Sequence, residues 1–233
     1  MVKVIWATGT RTGSQFLVKM TMKALGELRR SSLTPGRKDN FNSDIKPGFQ
    51  DYAKQGKRAD YFIDHGIEAV KIEHCGMDML LIELLERFPK AKVLTVLRPF
   101  AQIAESHHKI WRASQPATNA GWISPEKALT LWINDITQLE YVKASGRLLA
   151  IDLNGKESFD SAGFLDFLET QNSSQFEQFL ETWPVVNDLS HQLKRFDSAD
   201  GRDDSGAATA IARYIELPIV DSIEARYRKL LEA

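Results

Sequence analysis

The chain opens on a short apolar run, residues 2–7 (VKVIWA). The run stops at a turn-rich loop, residues 8–14 (TGTRTGS), and continues with helical spacing. A run of this length with β-branched residues reads as a buried strand. Beyond the loop, Phe16, Leu17, Met20, Ala24, Leu25 and Leu28 recur on one helical face. A strand joined to a helix through such a turn is a cradle for an anion. The first amides of a helix have no internal partner, and the helix dipole adds partial positive charge there. Arg11 brings a permanent cation with a forked set of donors, and Thr12 and Ser14 bring hydroxyl donors. The plainer alternative is that Gly9 and Gly13 only make a tight strand-to-helix turn. Position favours the cradle: the loop follows the first strand of an alternating chain, and ligands gather at the carboxyl ends of such strands.

The alternation continues. Residues 67–72 and 91–97 (AKVLTVL) read as strands, and 148–152 (LLAID) as a fourth. Helices are predicted over 77–88, stopped by Pro89, and over 99–111, with proline at the first position. A long helix spans 124–144, opened by Ser124-Pro125-Glu126 and closed by Gly146. Short helices fall at 162–168 and 175–183, and an amphipathic one at 221–231. The segment 31–64 is polar and reads as a surface excursion with a short helix near 49–53. Residues 197–208 read as a mobile loop within an expected lid, 190–218. Strands alternating with helices predict one α/β domain over 1–233, a three-layer sandwich around a mostly parallel sheet.

The clearest internal strand ends in Arg98, with Ser106 eight residues on in the following helix. Metal-dependent phosphate-transfer enzymes place an Asp that positions magnesium at such a strand end. An arginine there grips a phosphate in a bidentate manner and needs no metal. The loop itself lacks the Gly-Lys-Ser/Thr of nucleoside triphosphatases, because its cation precedes the glycine.

Two stretches together resemble a known family. TGTRTGSQFL is similar to the 5′-phosphosulfate loop of sulfotransferases that use 3′-phosphoadenosine 5′-phosphosulfate (PAPS): Arg11, Thr12, Gly13 and Ser14 match, and Gln15 departs at the second hydroxyl position. ELLERFPKAKVLTVLRPFAQIAESHHKIW resembles the family's second motif, in which Arg98 and Ser106 match the binders of the 3′-phosphate; the usual Asp or Asn before proline is missing. LLAIDL resembles the strand after the family's long middle helix, so the resemblance runs over about residues 1–170. It implies a P-loop NTPase-like fold and PAPS as co-substrate, with no metal. It also implies that Thr10, Arg11, Thr12, Gly13, Ser14, Gln15, Arg98 and Ser106 hold the nucleotide. The implied reaction is in-line transfer of a sulfuryl group to a hydroxyl or amine. Arg11 would stabilise charge on the transferring group.

Some family members place a base histidine two residues after a strand-end lysine. Lys71-Ile72-Glu73-His74 sits in that place, with Glu73 at the matching position and His74 beside it. Lys71, Glu73 and His74 are the catalytic candidates, and the choice of base between Glu73 and His74 stays open. The plain alternative is a strand-end pair facing water. Adjacent His107 and His108 diverge on a helix and do not share a ligand, so they read as crevice lining or surface. Trp111, Trp122, Trp132 and Trp183 read as core or pocket wall. Lys194, Arg195 and Arg202 are candidates for a basic loop closing on the nucleotide.

Composition narrows the rest. Thirty Lys and Arg against 31 Asp and Glu leave a net charge of -1, which argues against a nucleic-acid polymer as partner. The single cysteine, Cys75, allows no intrachain disulfide. No apolar run has the length of a membrane span, and no signal-peptide pattern precedes the first strand, so the expectation is a cytoplasmic protein. The acceptor is expected to be a small molecule, glycan or lipid. A P-loop kinase and a non-catalytic nucleotide-binding module remain as alternatives.

Overall fold

The computed structural model describes residues 1–9, 12–33, 48–73, 79–113, 124–152, 159–182 and 211–232, with backbone alone for 32–33 and 108–113. Strand β1 (Val4–Thr8) leads into helix α1 (Ser14–Leu25), followed by β2 (Arg30–Leu33). Helices α2 (Phe49–Lys54) and α3 (Arg58–Asp64) precede β3 (Ala69–Glu73); α4 (Leu80–Arg87) precedes β4 (Lys92–Leu97). Helices α5 (Phe100–Ala113) and α6 (Pro125–Ala144) lead to β5 (Leu148–Asp152), and α7 (Ser161–Phe167), α8 (Ser174–Glu181) and α9 (Pro218–Leu231) follow.

The five strands form one sheet in the order β2-β3-β1-β4-β5, every neighbouring pair parallel. Helices cover both faces because both faces are apolar. Every residue of β1 is buried. Val4 and Trp6 pack with α1, α7 and α8, whereas Ile5 and Ala7 pack with α3, α4, α5, α6 and α9. Trp6 is fully buried and its Nε1 donates to Thr21 Oγ1 at 3.0 Å, so its one polar atom is satisfied inside the core.

The order of strands fixes where a ligand sits. From β1 the chain moves outward to β2, returns to β3, crosses β1 to reach β4, and leaves on the far side to β5. Neighbours β1 and β4 therefore send their next connections in opposite directions. In open α/β sheets that reversal is where the loops part and a ligand crevice forms.

Local chemistry explains the framework helix α6. The Ser124 side chain accepts from Lys127 N at 3.2 Å, Pro125 opens the helix, and Gly146 ends it at φ 70°. Helix α9 starts a turn earlier than its apolar pattern suggests, because Pro218 occupies its first turn. Arg226 of α9 donates from Nε to Glu140 Oε1 at 2.8 Å and from a second nitrogen to Oε2, which ties α9 to α6. The Arg226 hydrogen bonds hold the Glu140 carboxyl below its ordinary value of 4.5. A depressed carboxyl stabilises the fold above that value and loses the effect as pH falls through the folded-state value. The pair is a third exposed, so Glu140→Gln is expected to cost only about 0.5 kcal/mol near neutral pH. Urea titrations of both proteins should show the difference shrinking as pH falls from 4.5 through the lowered folded-state value.

One expectation changes. The sheet has a fifth strand: β2, with Ser31 buried at 1% exposure, overlaps the start of the segment 31–64 read as a surface excursion. The same segment ends in α3, whose Tyr61 and Phe62 are fully buried. A four-residue strand at the sheet margin carries too few apolar residues to show a period, and its pairing with β3 is what defines it. In the expected lid, residues 190–210 lie outside the described set, as do Lys194, Arg195 and Arg202. From 211 onward the chain is helical, and Ile211 packs into the core.

Candidate active site

Helix α1 is capped by Gly13, which adopts φ 98°, ψ 22°, the left-handed region in which a side chain is strained. Its carbonyl accepts from Phe16 N at 2.9 Å and Leu17 N at 3.2 Å, and among the described residues no side chain caps the first amides. Those amides open on the crevice end of β1 with dipole and donors available to an anion. Thr12 is buried, and its hydroxyl donates to Gly9 O at 2.9 Å, closing the loop on itself. The sequence reading aims that hydroxyl at phosphate; its proton here is directed at the backbone. Ser14 is half-buried and Gln15 exposed. Thr10 and Arg11 lie outside the described residues.

Gly9 is demanded by space rather than by backbone angle. A Cβ there would lie 3.0 Å from Asp135 Oδ2 and 3.1 Å from Thr12 Cγ2. Asp135 belongs to α6 and is 5% exposed, so a carboxylate overhangs the first turn of the loop. Sequence reasoning missed it, although a signal existed: Asp135 interrupts the apolar stripe formed by Trp132, Ile136 and Leu139. Gly9→Ala is therefore expected to distort the loop and cost about 1–3 kcal/mol. Asp135→Ala in the same chain should restore much of that stability in thermal melts.

Arg98 follows the last residue of β4. Leu97 pairs with Asp152 at the end of β5, and Trp132 Nε1 donates to the Arg98 carbonyl at 3.2 Å. These contacts fix the backbone from which the guanidinium projects. Burial lowers the Arg98 pKa, and the nearby Asp152 and Tyr227 oppose that shift. Ser106 lies on α5 at 6% exposure, about two turns from the helix start. His107 beside it is 3% exposed, which makes it an interior residue rather than surface. Trp132 is core; Trp111, Trp122 and Trp183 and the side chain of His108 lie outside the described set.

Glu73 is the last residue of β3 and pairs in register with Thr8, the last residue of β1. Lys71, 5% exposed, forms an ion pair with Glu73. The two are on one face of the strand, the face that carries Trp6 and α1. His74 lies outside the described residues. Glu73, the loop and Arg98 thus stand at the carboxyl ends of three adjacent strands, β3, β1 and β4. With strands about 4.8 Å apart, the three positions span about 10 Å. An open groove of about 480 Å³ beside Tyr52, Asp64 and Arg87 is a separate feature. Asp64 and Arg87 end α3 and α4, so it lies toward the opposite edge of the sheet.

No family model matches the sequence, and no curated protein matches it. Among solved structures the chain is similar to mouse sulfotransferase SULT7A1 complexed with PAP, with a TM-score of 0.51 and 11% sequence identity over 96% of this chain and 88% of that one. The likeness shows the fold: a five-stranded parallel sheet between helical layers, built as in the sulfotransferases.

Proposed function

We propose that this chain, as one sulfotransferase-like domain over residues 1–233, moves a sulfuryl group from PAPS to a hydroxyl or amine. The acceptor class is a small molecule, glycan or lipid. The observation that carries the reading is the pairing of two anion-binding elements at one topological switch point. Uncapped amides of α1 follow β1, and a half-buried arginine follows the neighbouring β4. The donor set fits an adenine nucleotide with phosphate at two ends: backbone amides and Arg11 for the 5′ end, Arg98 and Ser106 for the 3′ end. The PAP-bound neighbour supports the same fit.

PAPS supplies the activated sulfuryl group and the leaving phosphate. The chain supplies position and charge. The amides of Ser14 and Gln15, with Arg11, offset negative charge on the transferring group and leaving oxygen. Glu73 or His74 takes the acceptor proton. Lys71 holds the Glu73 carboxylate in place through their ion pair. Thr12 keeps the loop closed through Gly9 O. A cytoplasmic location belongs to this proposal; among the described residues no helix is long and apolar enough to cross a membrane.

Calorimetry with adenosine 3′,5′-bisphosphate, followed by labelled-sulfate transfer from PAPS to a panel of phenols, alcohols and amines, tests the reading. Heat on binding and labelled product are expected. Absence of heat and of thermal shift at millimolar nucleotide would overturn it, as would magnesium-dependent ATP turnover in its place.

A further inference from the structure

Within electrostatic reach of Arg98 lies a buried polar atom that the fold itself does not use. Tyr227 of α9 is 4% exposed, and its hydroxyl is buried with no hydrogen-bond partner among the described residues. Leaving a buried hydroxyl unpaired costs on the order of 1–3 kcal/mol, so such atoms in a folded chain call for a reason. A phenylalanine would fill the same space without that cost.

Placement supplies the reason. The Tyr227 ring lies 6.5 Å from the ring of Trp132, and Trp132 Nε1 donates to the Arg98 carbonyl. Asp152, at the end of β5, aligns with Leu97, the residue before Arg98. Tyr227 is within electrostatic reach of both Asp152 and Arg98. Burial raises its pKa well above the usual phenol range, which keeps the hydroxyl protonated and therefore a donor. Helix α9 is held against α6 by the Arg226–Glu140 pair one residue away, so the tyrosine is presented from a fixed element.

We propose that Tyr227 is a further binding residue: its hydroxyl donates to the phosphate monoester that Arg98 grips, closing the 3′ end of the nucleotide site from the last helix of the chain. The inference rests on the nucleotide reading above and adds a third element to it. A phosphate oxygen is the acceptor that the buried hydroxyl lacks. A neutral donor beside Arg98 adds a directed bond and no competing charge. Discrimination follows: the contact serves a nucleotide that carries a 3′-phosphate and is idle toward one that does not.

Tyr227→Phe separates this from a structural role. Calorimetry on the full chain uses two probes, adenosine 3′,5′-bisphosphate and adenosine 5′-monophosphate. The variant is expected to bind the bisphosphate about tenfold more weakly and the monophosphate as the wild type does. Its melting temperature without ligand should equal or exceed that of the wild type, since an unpaired buried hydroxyl has been removed. Unchanged bisphosphate affinity overturns the assignment while leaving the nucleotide reading intact. Equal losses for both probes, or a clear fall in melting temperature, overturn it in favour of a packing role. A wild type that binds neither probe sinks the nucleotide reading and this inference with it.

Discussion

Arg98→Ala is expected to weaken adenosine 3′,5′-bisphosphate by about a hundredfold while the protein stays folded. The size follows from the kind of bond. A guanidinium meets phosphate through two charge-assisted hydrogen bonds, each stronger than a neutral one, and Arg98 makes them from a partly desolvated position. The backbone survives the change because Trp132 bonds to the Arg98 carbonyl, which alanine keeps, and Leu97 retains its pairing with Asp152. Arg98→Lys should recover only part of the affinity, since an ammonium lacks the planar fork. Calorimetry on the folded variants decides it, and an alanine variant with wild-type affinity would remove Arg98 from the site.

The second large effect concerns rate. Glu73→Gln should lower kcat by about 10²–10⁴ and leave nucleotide affinity nearly unchanged. The carboxylate stands at the end of β3, on the other side of β1 from Arg98, so losing its proton-accepting ability does not touch the 3′-phosphate end. Glutamine keeps the shape and loses both the base and the charge opposite Lys71. That lysine is almost fully buried, so some loss of stability accompanies the change. Thermal melts of the variant separate that loss from the kinetic effect. Full activity in Glu73→Gln together with its loss in His74→Ala would assign the base to the histidine.

Much of this frame is legible in the amino-acid order, for reasons that differ by element. Strand β1, its loop and α1 announce themselves because a period-free apolar run gives way abruptly to helical spacing across glycines. Helix α6 carries its own start signals in Ser124, Pro125 and Glu126. Arg98 stands out because a cation directly follows an uninterrupted apolar strand. The strand β2 is silent, since Arg30, Ser31 and Ser32 become a strand only by pairing with β3. Tyr61 and Phe62 look like isolated aromatics in a polar stretch until α3 packs them into the core.

Asp135 and Tyr227 mark the limit most clearly. Each lies on the apolar face of a helix: periodicity assigns Tyr227 to packing, and Asp135 stands out there only as an acid in an apolar stripe, with no sign of what it meets. Only the arrangement of α6 and α9 over the sheet brings one to the loop at Gly9 and the other to the surroundings of Arg98. Linear spacing cannot report such neighbours, because they are set by crossovers tens of residues long.

A crystal structure of the chain soaked with adenosine 3′,5′-bisphosphate addresses the convergence of the two strand ends most directly. The expected result is a single nucleotide with one phosphate on the amides that open α1 and the other on the Arg98 guanidinium. A nucleotide seated elsewhere, or one that reaches the α1 amides while Arg98 turns away from it, would contradict the shared site.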